Sequence, residues 1–125
     1  MSDPIRSEQL SEVVMKALKD YEGLTMETLR KAVQHAGKTA KEEIQNTAPK
    51  DTGAYAKSWR VKRPVETGNS VQTTVHSPSG YRIAHLLEHG HAKRGGGRVR
   101  AYPHIAPAEE KAEAGLIEEL ERRLP

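Results

Sequence analysis

Five residues past the middle of the chain, His85-Leu86-Leu87-Glu88-His89, are spaced to do chemistry. On a helix, His85 and His89 stand one turn apart and can share a zinc ion whose water Glu88 activates, the H-x-x-E-H arrangement of inverted zinc proteases. Gly90 follows at once and would stop that helix. Spacing supplies no obvious third ligand, although Glu109, Glu110 and Glu113 lie downstream. A five-residue motif is only as good as its structural context. The expectation is therefore no catalytic residue, no metal and no cofactor, with a small zinc hydrolase using His85, Glu88 and His89 as the alternative. His89 and His91 read as loop histidines that hydrogen-bond backbone or water. Nucleophilic catalysis has less support: the chain has no cysteine, and Ser58 and Ser79 stand outside any elbow motif.

The second group with chemical potential is a basic loop, residues 91–100. Lys93, Arg94, Arg98 and Arg100 flank the Gly95-Gly96-Gly97 triplet without a single acid. The triplet is not a phosphate-binding fingerprint, because no strand leads into it and no helix start follows directly. The cations could neutralise a nucleic-acid backbone, but no aromatic is interleaved for base stacking. Three glycines leave many backbone states, so the loop is expected to order on a protein partner. The acids Glu109, Glu110 and Glu113 open the following segment and offer a surface of opposite sign.

Around these groups the composition sets limits. At 125 residues the chain is expected to be one domain, residues 1–125, able to bury roughly two-thirds of its unfolded surface. Only 35% of residues are apolar and none is phenylalanine, a thin core that implies burial against other subunits. The net charge of +3 is below that of a dedicated nucleic-acid binder. No apolar run of about eighteen residues exists and no signal-peptide core opens the chain, which argues against membrane spanning and secretion.

The elements that must position the loop follow from periodicity. Asp3 and Pro4 suit a helix start, and Leu10, Val13, Val14, Ala17, Leu18 and Tyr21 fall on one helical stripe, so a first helix is predicted up to Gly23. A second runs from about Thr25 to Ala48 with Leu29, Val33, Ala36, Ala40 and Ile44 inward, and Pro49 ends it. Its Lys31, Lys38, Lys41, Glu42 and Glu43 read as a solvated face. The period then changes to two: strands are predicted over 57–63 and 70–76, with residues 64–69 as the hairpin loop and Trp59 as the main buried aromatic. Tyr81 to Glu88 fits either a strand or a short helix. From Pro107 to Leu124 a last helix places Ala112, Leu116, Leu120 and Leu124 on one stripe. The predicted fold class is α+β: two N-terminal helices (1–48), a small antiparallel sheet with a long basic Gly-rich loop (49–106), and a C-terminal helix (107–125) packed on the sheet.

The segments APKDTGAYAKSW and YRIAHLLEHGHAKRGGGRVRAYPHIAPAEEKA make the chain resemble the "gene product ten-like" tail-component family of long-tailed phages. Pro49, Thr52, Gly53 and Ser58 fit the first family block, Tyr81, Leu87, Glu88 and Gly90 the second, and Pro103, Ile105, Pro107 and Ala108 the third. Lys50 before Asp51, and His91 where many members carry threonine, depart from the pattern. The resemblance extends over about residues 10–122. It implies a non-enzymatic virion or prophage protein of the neck, acting in tail completion and head–tail joining and assembled in the bacterial host cytoplasm. The implied partners are further copies of itself in a ring, head-closure and tail-terminator or tail-tube proteins, and packaged DNA in the lumen. Lys93, Arg94, Arg98, Arg100, Glu109, Glu110 and Glu113 are the residues expected to make those contacts.

Overall fold

The computed structural model describes residues 12–19, 23–49, 53–93 and 95–124. In chain order the elements are β1 (Glu12–Leu18), α1 (Met26–Thr47), α2 (Ala54–Lys57), β2 (Arg60–Val61), β3 (Val65–Thr67), β4 (Ser70–His76), α3 (Tyr81–His89), β5 (His91–Ala92), β6 (Arg98–Val99) and α4 (Ala106–Arg122). The class is α+β, as predicted.

The segment expected to form the first helix is instead strand β1; the proposed cap at Asp3 and Pro4, with Leu10 and Tyr21, lies outside the described residues. Val13, Val14, Ala17 and Leu18 satisfy a helical stripe, but Val13, Met15 and Ala17 satisfy alternation equally well, and these three are buried. Tertiary context decides. Strand β4 has one edge taken by β2 and β3, and β1 pairs along the whole of the other, from Glu12 opposite His76 to Leu18 opposite Ser70. Backbone donors on a central strand need partners on both sides, and that requirement outweighs a weak local preference.

Helix α1 forms where expected. Thr25 caps it by accepting the Thr28 N–H at 3.1 Å, and Leu29, Val33, Ala36, Ala40 and Ile44 are buried along with Ala32 and Gly37. The helix lies across one face of the sheet, over Val13, Met15, Val71 and Val75. Gly37 sets how close it comes: a Cβ there would sit 2.8 Å from Thr73 Cγ2 and 3.1 Å from Val61 Cγ1. The predicted strand over 57–63 is shorter, because residues up to Lys57 wind into α2, which opens at Gly53 with φ of +80°. The predicted 64–69 loop shrinks to a two-residue turn led by Gly68, since Val65–Thr67 joins β4 as β3. Trp59 is fully buried, just before β2.

Helix α4 buries Ala108, Ala112 and Leu116 chiefly against α1 and reaches the sheet at β1, so it flanks the sheet's helical layer more than it covers the sheet. The ion pair Lys111–Glu43 (3.0 Å) and the His35–Glu119 hydrogen bond (3.0 Å) edge the α1–α4 seam.

Candidate functional site: a carboxylate clamp and the surface it holds

Tyr81–His89 is a helix, and it is attached to the domain through few side chains: Ala84 and Glu88 are its buried residues. Glu88 turns inward to the start of α4. Its Oε1 accepts the backbone N–H groups of His104 and Ile105, both at 2.9 Å, and its Oε2 accepts that of Ala106 at 2.9 Å. A helix start leaves its first N–H groups without intrahelical partners, and α4 begins at Ile105 with no side-chain cap of its own. The distant Glu88 supplies that cap and places negative charge at the positive end of the helix.

A buried polar knot surrounds the clamp. His104 Nδ1 lies 2.8 Å from the Tyr102 carbonyl and 3.2 Å from Glu88 Oε1. Both are acceptors, which assigns a proton to Nδ1; Nε2 meets the Tyr55 hydroxyl at 2.6 Å. Burial, with the Glu88 charge adding to it, pushes the Tyr55 phenol well above its ordinary range, while the neighbouring Trp59 indole works against the rise. Trp59 Nε1 itself makes no hydrogen bond, alone among buried side-chain nitrogens and oxygens of the described residues. For Glu88, burial alone would raise the pKa. The His104 side chain and the N–H groups of Ala106, His104 and Ile105 outweigh it and hold the carboxyl down at about 2. Nearby, Ser77 Oγ accepts the Gly80 N–H at 2.9 Å and meets Ser58 Oγ at 2.6 Å.

This geometry dismantles the zinc motif. The His85 and His89 rings lie 5.0 Å apart, but the glutamate between them faces the opposite way and is committed to three backbone donors. Among the described residues no group of three or more histidines and acids is placed to hold a metal. The sequence reading missed both the clamp role of Glu88 and the knot with Tyr55 and His104. The signal that points to them is a helix start, Pro103-His104-Ile105-Ala106-Pro107, without Ser, Thr, Asp or Asn at its cap position.

The basic loop is a small hairpin rather than an irregular loop: His91 pairs Val99, Ala92 pairs Arg98, and Lys93 N donates to Gly97 O at 2.9 Å. Gly95, Gly96 and Gly97 hold φ of +90°, +112° and +79°, a left-handed run that side chains oppose, while a Cβ at any of them would meet open space. Conformation, not room, requires the triplet. The side chains of Lys93 and Arg98 are exposed, as is that of Arg100; Arg94 lies outside the described residues. Arg98 reaches the His89 carbonyl at 3.4 Å. Among the described residues, none of these cations pairs with an acid, and none of Glu109, Glu110 and Glu113 pairs with a cation. Burial and the charges of Glu113 and Glu110 raise the pKa of Glu109, as expected where carboxylates crowd without counterions. Beside the hairpin, α3 exposes Tyr81, Ile83 and Leu86, and Tyr102, tied to the Leu87 carbonyl, is also exposed.

The polar groups of this site are spent on holding backbone, and what remains outward is unpaired charge beside apolar side chains: a structural module that presents a surface. The chain belongs to the family described as "Bacteriophage HK97-gp10, putative tail-component", whose model matches residues 12–90. It is accordingly a phage tail component, a virion protein whose neighbours are other virion proteins. Neither the curated proteins nor the solved structures compared with the chain match it. The matched span ends at Gly90, so it holds the first two family blocks and stops short of the hairpin and α4. No helix among the described residues is long and apolar enough to cross a membrane.

Proposed function

We propose that the protein is a ring-forming subunit of the head–tail connector or neck, acting in tail completion and head–tail joining, with no catalytic role. The observation that carries this reading is the pair of oppositely charged surfaces on one chain: hairpin cations on one side, Glu109, Glu110 and Glu113 on the other, neither satisfied internally among the described residues. A head-to-tail contact between two such surfaces is heterologous, and heterologous contacts close into rings when the rotation permits. The exposed Tyr81, Ile83, Leu86 and Tyr102 supply apolar area beside a charged rim, the usual anatomy of a protein interface. Head-closure and tail-terminator or tail-tube proteins are the neighbours such a ring would meet, with packaged DNA in its lumen.

The test replaces Lys93, Arg94, Arg98 and Arg100 together with serine. Exposed pairs are individually weak and screened by salt, so assembly should depend on several at once. The variant should keep the thermal stability of the isolated subunit, fail to form the oligomer expected of the parent in solution, and leave heads and tails unjoined. Infectious particles at normal yield would overturn the reading.

A further inference from the structure

Between α1 and the β2–β3 edge lies an open groove of about 730 Å³ whose charged lining is Lys31, Lys38, Lys41, Lys62 and Arg63, with no carboxylate in its walls. Residues three to seven apart on α1 fall on one face, and Lys62-Arg63 come from a strand junction more than twenty positions later. Gly37 brings the two together, because only a residue without Cβ lets Val61 and Thr73 approach α1 so closely. The Lys62 backbone is then pinned on both sides: its N–H donates to the Thr74 carbonyl at 2.8 Å and its carbonyl accepts from the Thr73 hydroxyl at 2.5 Å. Two nearby acids are already engaged, Glu66 by Arg30 at 2.9 Å and Glu27 by Lys31 at 3.4 Å, and Glu42, beside Lys41, is not part of the lining. Lys38, Lys41, Lys62 and Arg63 form no ion pair among the described residues.

We infer that this groove binds the sugar–phosphate backbone of nucleic acid, independently of sequence and separately from the hairpin. The row from Lys31 to Lys41 extends about 15 Å along the helix axis. That matches roughly four phosphates of one strand at their 3.4 Å rise. The lining fits phosphates better than a protein: interface cores favour aromatic and large apolar anchors and are depleted in lysine, and here Val61 and Pro64 are the apolar lining. The lining also holds Gln34 and His35, the latter tied to Glu119 at 3.0 Å, but no Phe, Tyr or Trp, so binding rests chiefly on charge.

The test is fluorescence anisotropy of a short random-sequence DNA duplex with the full chain over a salt series. With three to four phosphates neutralised, the log–log slope against salt should be about −3, and affinity should fall roughly 60-fold between 50 and 200 mM salt. The variant K38Q/K41Q/K62Q/R63Q should weaken binding at least tenfold and flatten the slope, with a circular dichroism spectrum like that of the parent; if it misfolds, K62Q and R63Q alone should each reduce the slope by about one. Replacing Lys93, Arg98 and Arg100 with serine should leave binding unchanged. Loss of binding in that hairpin variant and not in the groove variant would overturn the inference. So would a polyglutamate peptide of equal charge competing as well as DNA, which would make the groove a seat for an acidic protein segment.

Discussion

The connection between α3 and α4 has two halves that treat backbone and charge in opposite ways. Residues 102–106 are tied by their backbone to the rest of the fold: the N–H of the exposed Tyr102 is bonded to the Leu87 carbonyl, and the next three donors of α4's start, from the buried His104 and Ile105 to Ala106, are taken by one carboxylate. The described residues of the 91–100 segment hold themselves by a short ladder and a glycine turn, with Lys93, Arg98 and Arg100 facing solvent. The difference shows what each half is for. Buried donors left alone would each cost about 1–3 kcal/mol, so the fold supplies them with a charge. Exposed cations cost nothing to leave unpartnered, so they can wait for another molecule.

Breaking the buried half should have the largest effect. Glu88→Ala leaves three backbone donors without their acceptor and the His104 ring with the Tyr102 carbonyl alone at Nδ1, and should cost about 3–5 kcal/mol in denaturant unfolding. Glu88→Gln keeps one acceptor oxygen but turns an amide toward N–H groups, and about 2–4 kcal/mol should be lost. If either variant is as stable as the parent, the clamp does not hold the α4 start.

The same carboxylate sharpens the contrast through pH. Its folded pKa of about 2 lies below the ordinary 4.5, so between those values the unfolded chain binds more protons than the folded one. Its contribution, on the order of 3 kcal/mol, is complete above pH 4.5 and is lost as pH falls toward 2. Urea midpoints measured down that range should show the loss in the parent, and Glu88→Gln should lack that share of it. Replacing Lys93, Arg98 and Arg100 should leave the acid limb in place, because the partners of Glu88 among the described residues are the 104–106 backbone and His104.

How far the sequence disclosed all this depends on how local each cause is. Helix α1 was legible because its cap, its small-residue stripe and Pro49 all lie within its own span. Strand β1 was not, since its segment fits two periods and the decision belongs to β4, more than fifty residues away. The site was half legible. Glu88 and the blocks around Pro103 stood out as family features, but the H-x-x-E-H spacing pointed toward metal chemistry. Only the fold shows Glu88 facing away from His85 and His89. Lys31, Lys38 and Lys41 were visible and read as a solvated face, because no spacing rule foretells that Gly37 draws Lys62 and Arg63 alongside.

A smaller effect is expected at the two histidines on the outer face of α3. Protein purified without added metal should contain no stoichiometric zinc by elemental analysis, and His85→Ala with His89→Ala should shift stability by no more than about 0.5 kcal/mol, as surface substitutions do. A tightly held zinc lost in His89→Ala would mean that a second copy or an unassigned ligand completes the site.

The smallest effect on the isolated subunit should come from the hairpin itself. Gly96 sits at φ +112° with open space around it, so Gly96→Ala strains the turn without a clash. The penalty is on the order of 1–3 kcal/mol for a non-glycine residue in such a region. It should not reach the global unfolding free energy. The hairpin can open locally while Glu88 keeps hold of residues 104–106, and local opening draws only on the few contacts of the opened piece. Thermal midpoints of Gly96→Ala and parent should therefore agree. The hairpin amides should already differ from the core in the parent: Lys93 N–H should exchange rapidly in the isolated subunit, and the N–H groups of His104 and Ile105 slowly. In assembled tails the hairpin amides should become protected, and Gly96→Ala should reduce that protection. Equal, slow exchange at Lys93 and His104 in the isolated subunit would mean that the two halves of the connection form one rigid unit and that the hairpin needs no partner to order it.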